Sequence, residues 1–132
     1  MEPQPQTDDK QARKVLIIED EHFISELYVR ALTRAGYEVT VEVDGQKGLD
    51  LAKTDEFDII LLDLMIPTIT GMEVLRRLRR SGEAKIKAKI VITTNLEQRE
   101  EIRADIESQA DAYLLKAEIT PHELVGFLNT IK

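Results

Sequence analysis

Residues 58–71, DIILLDLMIPTITG, run a set of isoleucines and leucines into one carboxylate, Asp63, and then place Pro67 and Gly71 four and eight residues further on. Such a continuous apolar run, stopped by a proline and a glycine, reads as a strand covered on both faces that ends in a turn. An aspartate at that end lies where the sheet stops and a crevice can open. The fold and the function therefore meet at Asp63.

The same signature recurs in VLII at 15–18 and KIVIT at 89–93, with helical patterns between. Ile24, Leu27, Tyr28, Ala31, Leu32 and Ala35 fall on one stripe ahead of Gly36, which predicts a first helix over about 22–35. YEVTVEV at 37–43 alternates as a strand does, and Asp44 is placed to cap a short helix carrying Leu49 and Ala52. Val74, Leu75 and Leu78 mark a third helix ending near Gly82, and a fourth is expected after Asn95. DAYLL at 111–115 supplies a fifth strand. Thr120, Pro121 and Glu123 combine an N-cap, a proline in the first turn and a capping-box acid ahead of Leu124, Phe127, Leu128 and Ile131. Five strands alternating with five helices predict an α/β protein: an open, doubly wound parallel sheet whose crevice lies beyond the carboxyl ends of its strands. Glu19 and Asp20, Asp63, Thr93 and Thr94, and Lys116 all fall at such ends.

Composition narrows the partners. The 132 residues, 42% of them hydrophobic, suit one domain with its own core, expected over 14–132 behind a polar, disordered lead-in, MEPQPQTDDKQAR at 1–13. A net charge of −7 argues against direct nucleic-acid binding. There is no cysteine, no export signal and no apolar run of membrane-spanning length, so the cytoplasm is the expected compartment and no membrane partner is expected.

Three carboxylates gathered at one edge repel one another unless a cation joins them. Oxygen-only ligands favour Mg²⁺ over zinc, and Mg²⁺ leaves room for phosphate oxygens. An aspartate beside such a cation can itself attack phosphorus, with Lys116 and a threonine hydroxyl to neutralise the transferred group.

These residues resemble the receiver domains of bacterial response regulators, the phosphoacceptor modules of two-component signalling. The likeness spans about 14–132 and is carried by Glu19-Asp20-Glu21, by Asp63 with Pro67 and Gly71, and by Lys116 in AYLLK. It implies a flavodoxin-like sheet of order 2-1-3-4-5. It also implies that Asp63 takes a phosphoryl group from a sensor histidine kinase or a phosphotransfer protein, and that Lys116 grips that group. Asp20 and Asp63 would bind Mg²⁺ with the Met65 carbonyl, Glu19 assisting through water. Lys116 lies 22 residues after Thr94, the family's usual separation, which selects Thr94 as the switch hydroxyl, Tyr113 as the switch aromatic and Thr93 as a packed strand residue. By the same resemblance Met65 and Leu96 tune how long the phosphate survives. Output would pass to a downstream protein through the fourth helix, fifth strand and fifth helix. The protein would catalyse only its own phosphorylation and dephosphorylation.

Two departures stand out. Ala117 follows Lys116 where the family commonly has proline, so a trans bond and an altered loop over 116–120 are expected. Asn95 follows the switch hydroxyl where a small residue is usual, and would either cover the site or cap the fourth helix. His22 and His122 read as ordinary helix-start residues. Arg76, Arg77, Arg79 and Arg80 read as a solvated face closing a helix, and Glu97, Glu100, Glu101, Asp105 and Glu107 as an acidic outer surface of the fourth helix. The rivals are a degenerate receiver that binds partners without phosphorylation, and a flavodoxin-like electron carrier. The latter needs a Ser/Thr- and Gly-rich phosphate loop where this chain has EDEHF at 19–23.

Overall fold

The computed structural model describes residues 12–80, 85–95 and 97–131. Most of the expected lead-in, the expected helix end at Gly82, and Leu96 lie outside the described residues. Five strands, β1 (Lys14–Ile18), β2 (Glu38–Glu42), β3 (Ile59–Asp63), β4 (Lys89–Thr94) and β5 (Ala112–Leu115), alternate with α1 (His22–Arg34), α2 (Gly45–Ala52), α3 (Gly71–Arg79), α4 (Glu100–Glu107) and α5 (Pro121–Asn129). All strand pairs are parallel, in the order β2-β1-β3-β4-β5.

The continuous apolar runs are explained by burial on two sides. Along β1, β3 and β4, Leu16, Ile18, Ile60, Leu62, Ile90 and Ile92 pack with Leu49 of α2, Val74, Leu75 and Leu78 of α3 and Ile106 of α4. The alternate residues, Val15, Ile17, Ile59, Leu61 and Val91, pack with Tyr28 and Leu32 of α1 and Leu124 and Leu128 of α5. The edge strand β2 buries less and leaves Glu38, Thr40 and Val41 exposed; the glutamate and the threonine are polar side chains that discourage pairing at an open edge. Register brings the strand ends level: Ile18 pairs with Leu62, Asp63 with Thr93 and Thr94 with Leu115, so Glu19, Asp63, Thr94 and Lys116 lie within one residue of a common edge.

The caps read from sequence are present. Asp44 accepts from Lys47 N at 2.9 Å, and Thr120 and Glu123 form the full capping box. Two expectations are corrected. Asn95 does not cap α4: the helix opens at Glu100, Arg99 holds the N-cap position, and no side chain caps it. Glu97, Gln98 and Arg99 have nothing apolar to bury, so the helix begins only within reach of Ile106, the residue it buries.

The four arginines at the end of α3 are also more than a solvated face. Arg76 and Arg77 hold Glu73 at 2.5 and 2.7 Å and pull its pKa down to about 2. Arg79 donates to Ala88 O and Gln109 O and pairs with Asp111, while Arg80 pairs with Asp105 of α4 at 2.8 Å. Of the expected acidic outer surface, Glu100, Glu101 and Glu107 are exposed on α4, Glu97 precedes the helix, and Asp105 is drawn to Arg80. Peptide bonds among the described residues are trans, Lys116–Ala117 included, and Lys116–Glu118 forms a short 3₁₀ turn.

Candidate functional site

Asp63 closes β3 at 3% exposure. One carboxylate oxygen, Oδ1, accepts from Met65 N at 3.1 Å and the other, Oδ2, from Lys116 Nζ at 3.2 Å. The glycine eight residues on has a steric cause. The chain folds back so tightly that Gly71 N donates to Leu64 O at 3.0 Å, and a Cβ on Gly71 would run into the carbonyl of Asp63, backbone that cannot yield. The same loop is pinned to α2, since Gly45 N donates to Pro67 O and the Thr68 hydroxyl, on a residue at φ 77°, donates to the Asp44 carboxylate. Proline and glycine thus belong to the device that holds Asp63 at the edge.

Lys116 is almost fully buried, and its Nζ lies 2.5 Å from Glu19 Oε1, 3.2 Å from Glu21 Oε1 and 3.2 Å from Asp63 Oδ2. Burial is the largest single influence on it and disfavours the ammonium, but Glu19 and Asp63 together outweigh it and push Lys116 up to about 12. Glu19, 1% exposed, is pushed up to about 7 by burial, against the pull of Lys116 and of Glu21 N, which donates to its Oε2 at 3.0 Å. Its Oε1 meets Lys116 as an ion pair and has no well-directed hydrogen bond.

Asp20, by contrast, is exposed, and oxygens of Glu19, Asp20 and Asp63 lie within 4.8 Å of one another. Asp20, Glu21, Asp63, Met65 and Asn95 line a cavity of about 390 Å³ that opens to solvent. Glu19, Glu21 and Asp63 share the one ammonium of Lys116, and Asp20 adds a further carboxylate beside them. The donors are all oxygen, and the excess negative charge faces a cavity. That donor set fits a small hard divalent cation such as Mg²⁺.

The remaining expected residues surround this cluster. Met65 is exposed and sits at the cavity rim. Both threonines of β4 are buried, but on opposite faces: Thr93 shares its face with Val91, and Thr94 shares its face with Ile92, which packs in the cluster containing Tyr113 and Ile106 of α4. Tyr113 is 8% exposed, with the Arg103 guanidinium 4.4 Å from its ring centroid. Asn95 lines the cavity, its amide 3.5 Å from Glu21, which agrees with the covering role and not with the capping one.

Two participants have no role in the reading from sequence. Glu21 is visible there only as part of the acidic run; its ion pair joins residues 95 apart. Arg103 carries no sequence signal at all, because its seat on Tyr113 exists only once α4 lies across β5.

Comparison with known proteins points the same way. The sequence model of the response regulator receiver domain matches residues 15–129. Response regulator ArlR of Staphylococcus aureus strain USA300 is 37% identical over 103 residues, covering 78% of this chain and 45% of that protein. The chain therefore spans less than half the length of that curated relative. Among solved structures, the chemotaxis response regulator CheY4 of Vibrio cholerae superposes with a TM-score of 0.77 at 28% identity, over 90% of this chain and 98% of that one. The BeF₃-activated N-terminal receiver domain of Klebsiella pneumoniae RstA gives 0.75 at 27% identity, over 89% and 96%.

Proposed function

The chain belongs to the response regulator receiver domain family, and on that premise we propose that it is a working phosphoacceptor that takes a phosphoryl group onto Asp63 from a phosphohistidine. Receiver domains are signalling modules of two-component systems, not turnover enzymes. The observation that carries the proposal is the buried Lys116 held among Glu19, Glu21 and Asp63 at the mouth of a cavity. A module that had lost phosphorylation would gain nothing from keeping these charges desolvated together.

In the transfer, a carboxylate oxygen of Asp63 forms the O–P bond as the donor's N–P bond breaks and the electron pair returns to the imidazole. Lys116, already at Asp63, balances charge on the phosphoryl oxygens. Asp20, Asp63 and the Met65 carbonyl would hold Mg²⁺, with Glu19 acting through water; bound there, the ion would neutralise charge on the transferred group. Thr94 then turns its hydroxyl toward the phosphoryl oxygens, and Tyr113 moves into the space it leaves, altering the surface of α4, β5 and α5. Thr94 is favoured by its place on the face of Tyr113; Thr93 is the second candidate because it is in register with Asp63. Met65 cannot orient a water, so hydrolysis is expected to be slow, and Met65→Asn with Leu96→Glu should speed it about tenfold.

The working unit is residues 14–132, acting in the cytoplasm, with a sensor histidine kinase or phosphotransfer protein upstream and a protein target downstream. Among the described residues no helix is long and apolar enough to cross a membrane. The test is labelling by a small phosphodonor with Mg²⁺. The expected result is one acyl phosphate in the parent and none in Asp63→Asn. No label in the parent, or label retained in Asp63→Asn, overturns the proposal and leaves a receiver that binds partners without phosphate.

A further inference from the structure

The chain's excess negative charge is not spread evenly. A groove of about 540 Å³ between α1 and α5 is apolar, with Arg30 and Arg34 along it. A second groove, about 410 Å³, runs over β5 between α4 and α5, and its character is opposite. Leu115 and Ile119 form part of its lining, and Glu97, Glu118 and Glu123, all exposed, stand around it. The one cation among its lining residues, Arg103, lies over the Tyr113 ring and 3.6 Å from Glu107. Exposed Glu100 and Glu101 extend the acidic side along the first turn of α4.

We propose that this groove receives a cationic segment of a partner protein, a lysine or arginine next to an apolar residue. The apolar stem of such a side chain lies along Leu115 and Ile119 while its charged end reaches Glu97 and Glu118. The proposal rests on the reading of the α4-β5-α5 surface as the output face, and adds the chemistry of what binds there. A second copy of this chain is the disfavoured occupant. A two-fold contact sets the same patch against itself, which here opposes glutamates to glutamates with Arg103 already engaged on its own protomer.

The geometry also ties affinity to the switch. Tyr113 lines the groove, so any movement of its ring reshapes the wall and releases Arg103 from its seat. Binding of the cationic segment should therefore differ between the resting and activated forms.

The experiment is a titration of the ¹⁵N-labelled protein with an amphipathic lysine–leucine peptide and with its glutamate–leucine counterpart, each with and without Mg²⁺ and beryllofluoride. The expected result is that the lysine peptide alone shifts amides of Arg103, Tyr113, Leu115 and Ile119. The double variant Glu97→Gln/Glu118→Gln, on exposed side chains that cap no helix, should weaken it about fivefold, the effect of losing two exposed charge pairs. Lysine-peptide shifts confined to another surface, unchanged affinity in the double variant, or concentration-dependent self-association through these residues would each overturn the proposal. The beryllofluoride arm without peptide separates the two readings. If activation leaves the groove amides unmoved, the output-face reading fails, whatever the peptide does.

Discussion

α4 and α5 flank the same strand, β5, and are held by different means. α5 begins with a complete capping box and a proline in its first turn, and drives Leu124 and Leu128 into the core beneath α1. α4 is eight residues long, has no side-chain cap, and buries Ile106 alone. A helix this short is not stable by itself, so what holds it is one side chain, the stacking of Arg103 on Tyr113 and the tether from Asp105 to Arg80. The difference teaches where this fold can afford to change: local opening concentrates where buried apolar contact is least. It is also where Thr94 and Tyr113 lie, on the face of Ile106.

The largest test of that contrast removes the buried anchor from each helix. Leu128→Ala should cost about 2–5 kcal/mol of global stability, as core truncations do, read as a lower denaturation midpoint. Ile106→Ala should cost less overall, because α4 can detach while the sheet persists, and hydrogen exchange should show α4 amides unprotected with β1, β3 and β4 still protected. Equal global losses, with α4 still protected in Ile106→Ala, would break the comparison.

A smaller effect separates ligand from switch. Mg²⁺ at roughly tenfold over its Kd should raise stability by about 1.4 kcal/mol, provided the carboxylate cluster binds it. The gain should disappear in Asp20→Asn/Asp63→Asn. Adding beryllofluoride should then shift amides of α4 and Tyr113 more than those of Thr120–Leu124. Thr94→Ala should keep the Mg²⁺ gain and lose the α4 shifts. If Thr93→Ala does this instead, Thr93 is the switch residue.

The two helices also differ in how well they can be read from sequence, for the same physical reason. The start of α5 is written in four consecutive residues whose interactions are local, so the reading from sequence and the structure agree. The start of α4 is set by where Ile106 can meet the sheet, a tertiary condition, and the reading from sequence, which expects the helix somewhere after Asn95, does not locate its start at Glu100. The site divides likewise. Asp63, Glu19, Asp20 and Lys116 are legible because strand ends in a parallel sheet must converge on one edge. The ion pair of Glu21 with Lys116, the tethers made by Arg79 and Arg80, and the seat of Arg103 are not, because each depends on side chains far apart in the chain meeting after the fold is complete.

Capping supplies the next test. Thr120→Ala removes an oxygen that accepts from Glu123 N at 3.0 Å and should cost about 1 kcal/mol, with fraying confined to the first turn of α5. A loss that instead exposes α4 would mean the two helices are coupled through β5, and are not independently held.

The smallest expected effect runs the other way and is the most telling about α4. Arg99 occupies the N-cap with extended backbone, φ −61° and ψ 155°, the conformation a capping serine adopts, but its side chain offers no acceptor to the first-turn N–H groups. Arg99→Ser supplies a hydroxyl within reach of the N–H of Glu101 or Ile102, and takes away a positive charge from the end of the helix where positive charge is unfavourable. The backbone is already in place, so the gain should be about 0.5 kcal/mol, visible as greater exchange protection in α4 and a slightly higher Tm. The functional consequence follows from population shift: a resting α4 stabilised by that amount must be displaced against it, so the beryllofluoride-induced shifts should need about twofold more ligand to reach half their amplitude. If α4 becomes more protected but the activation midpoint stays where it is in the parent, the weak cap has no part in the switch, and α4 moves as a rigid body instead of loosening.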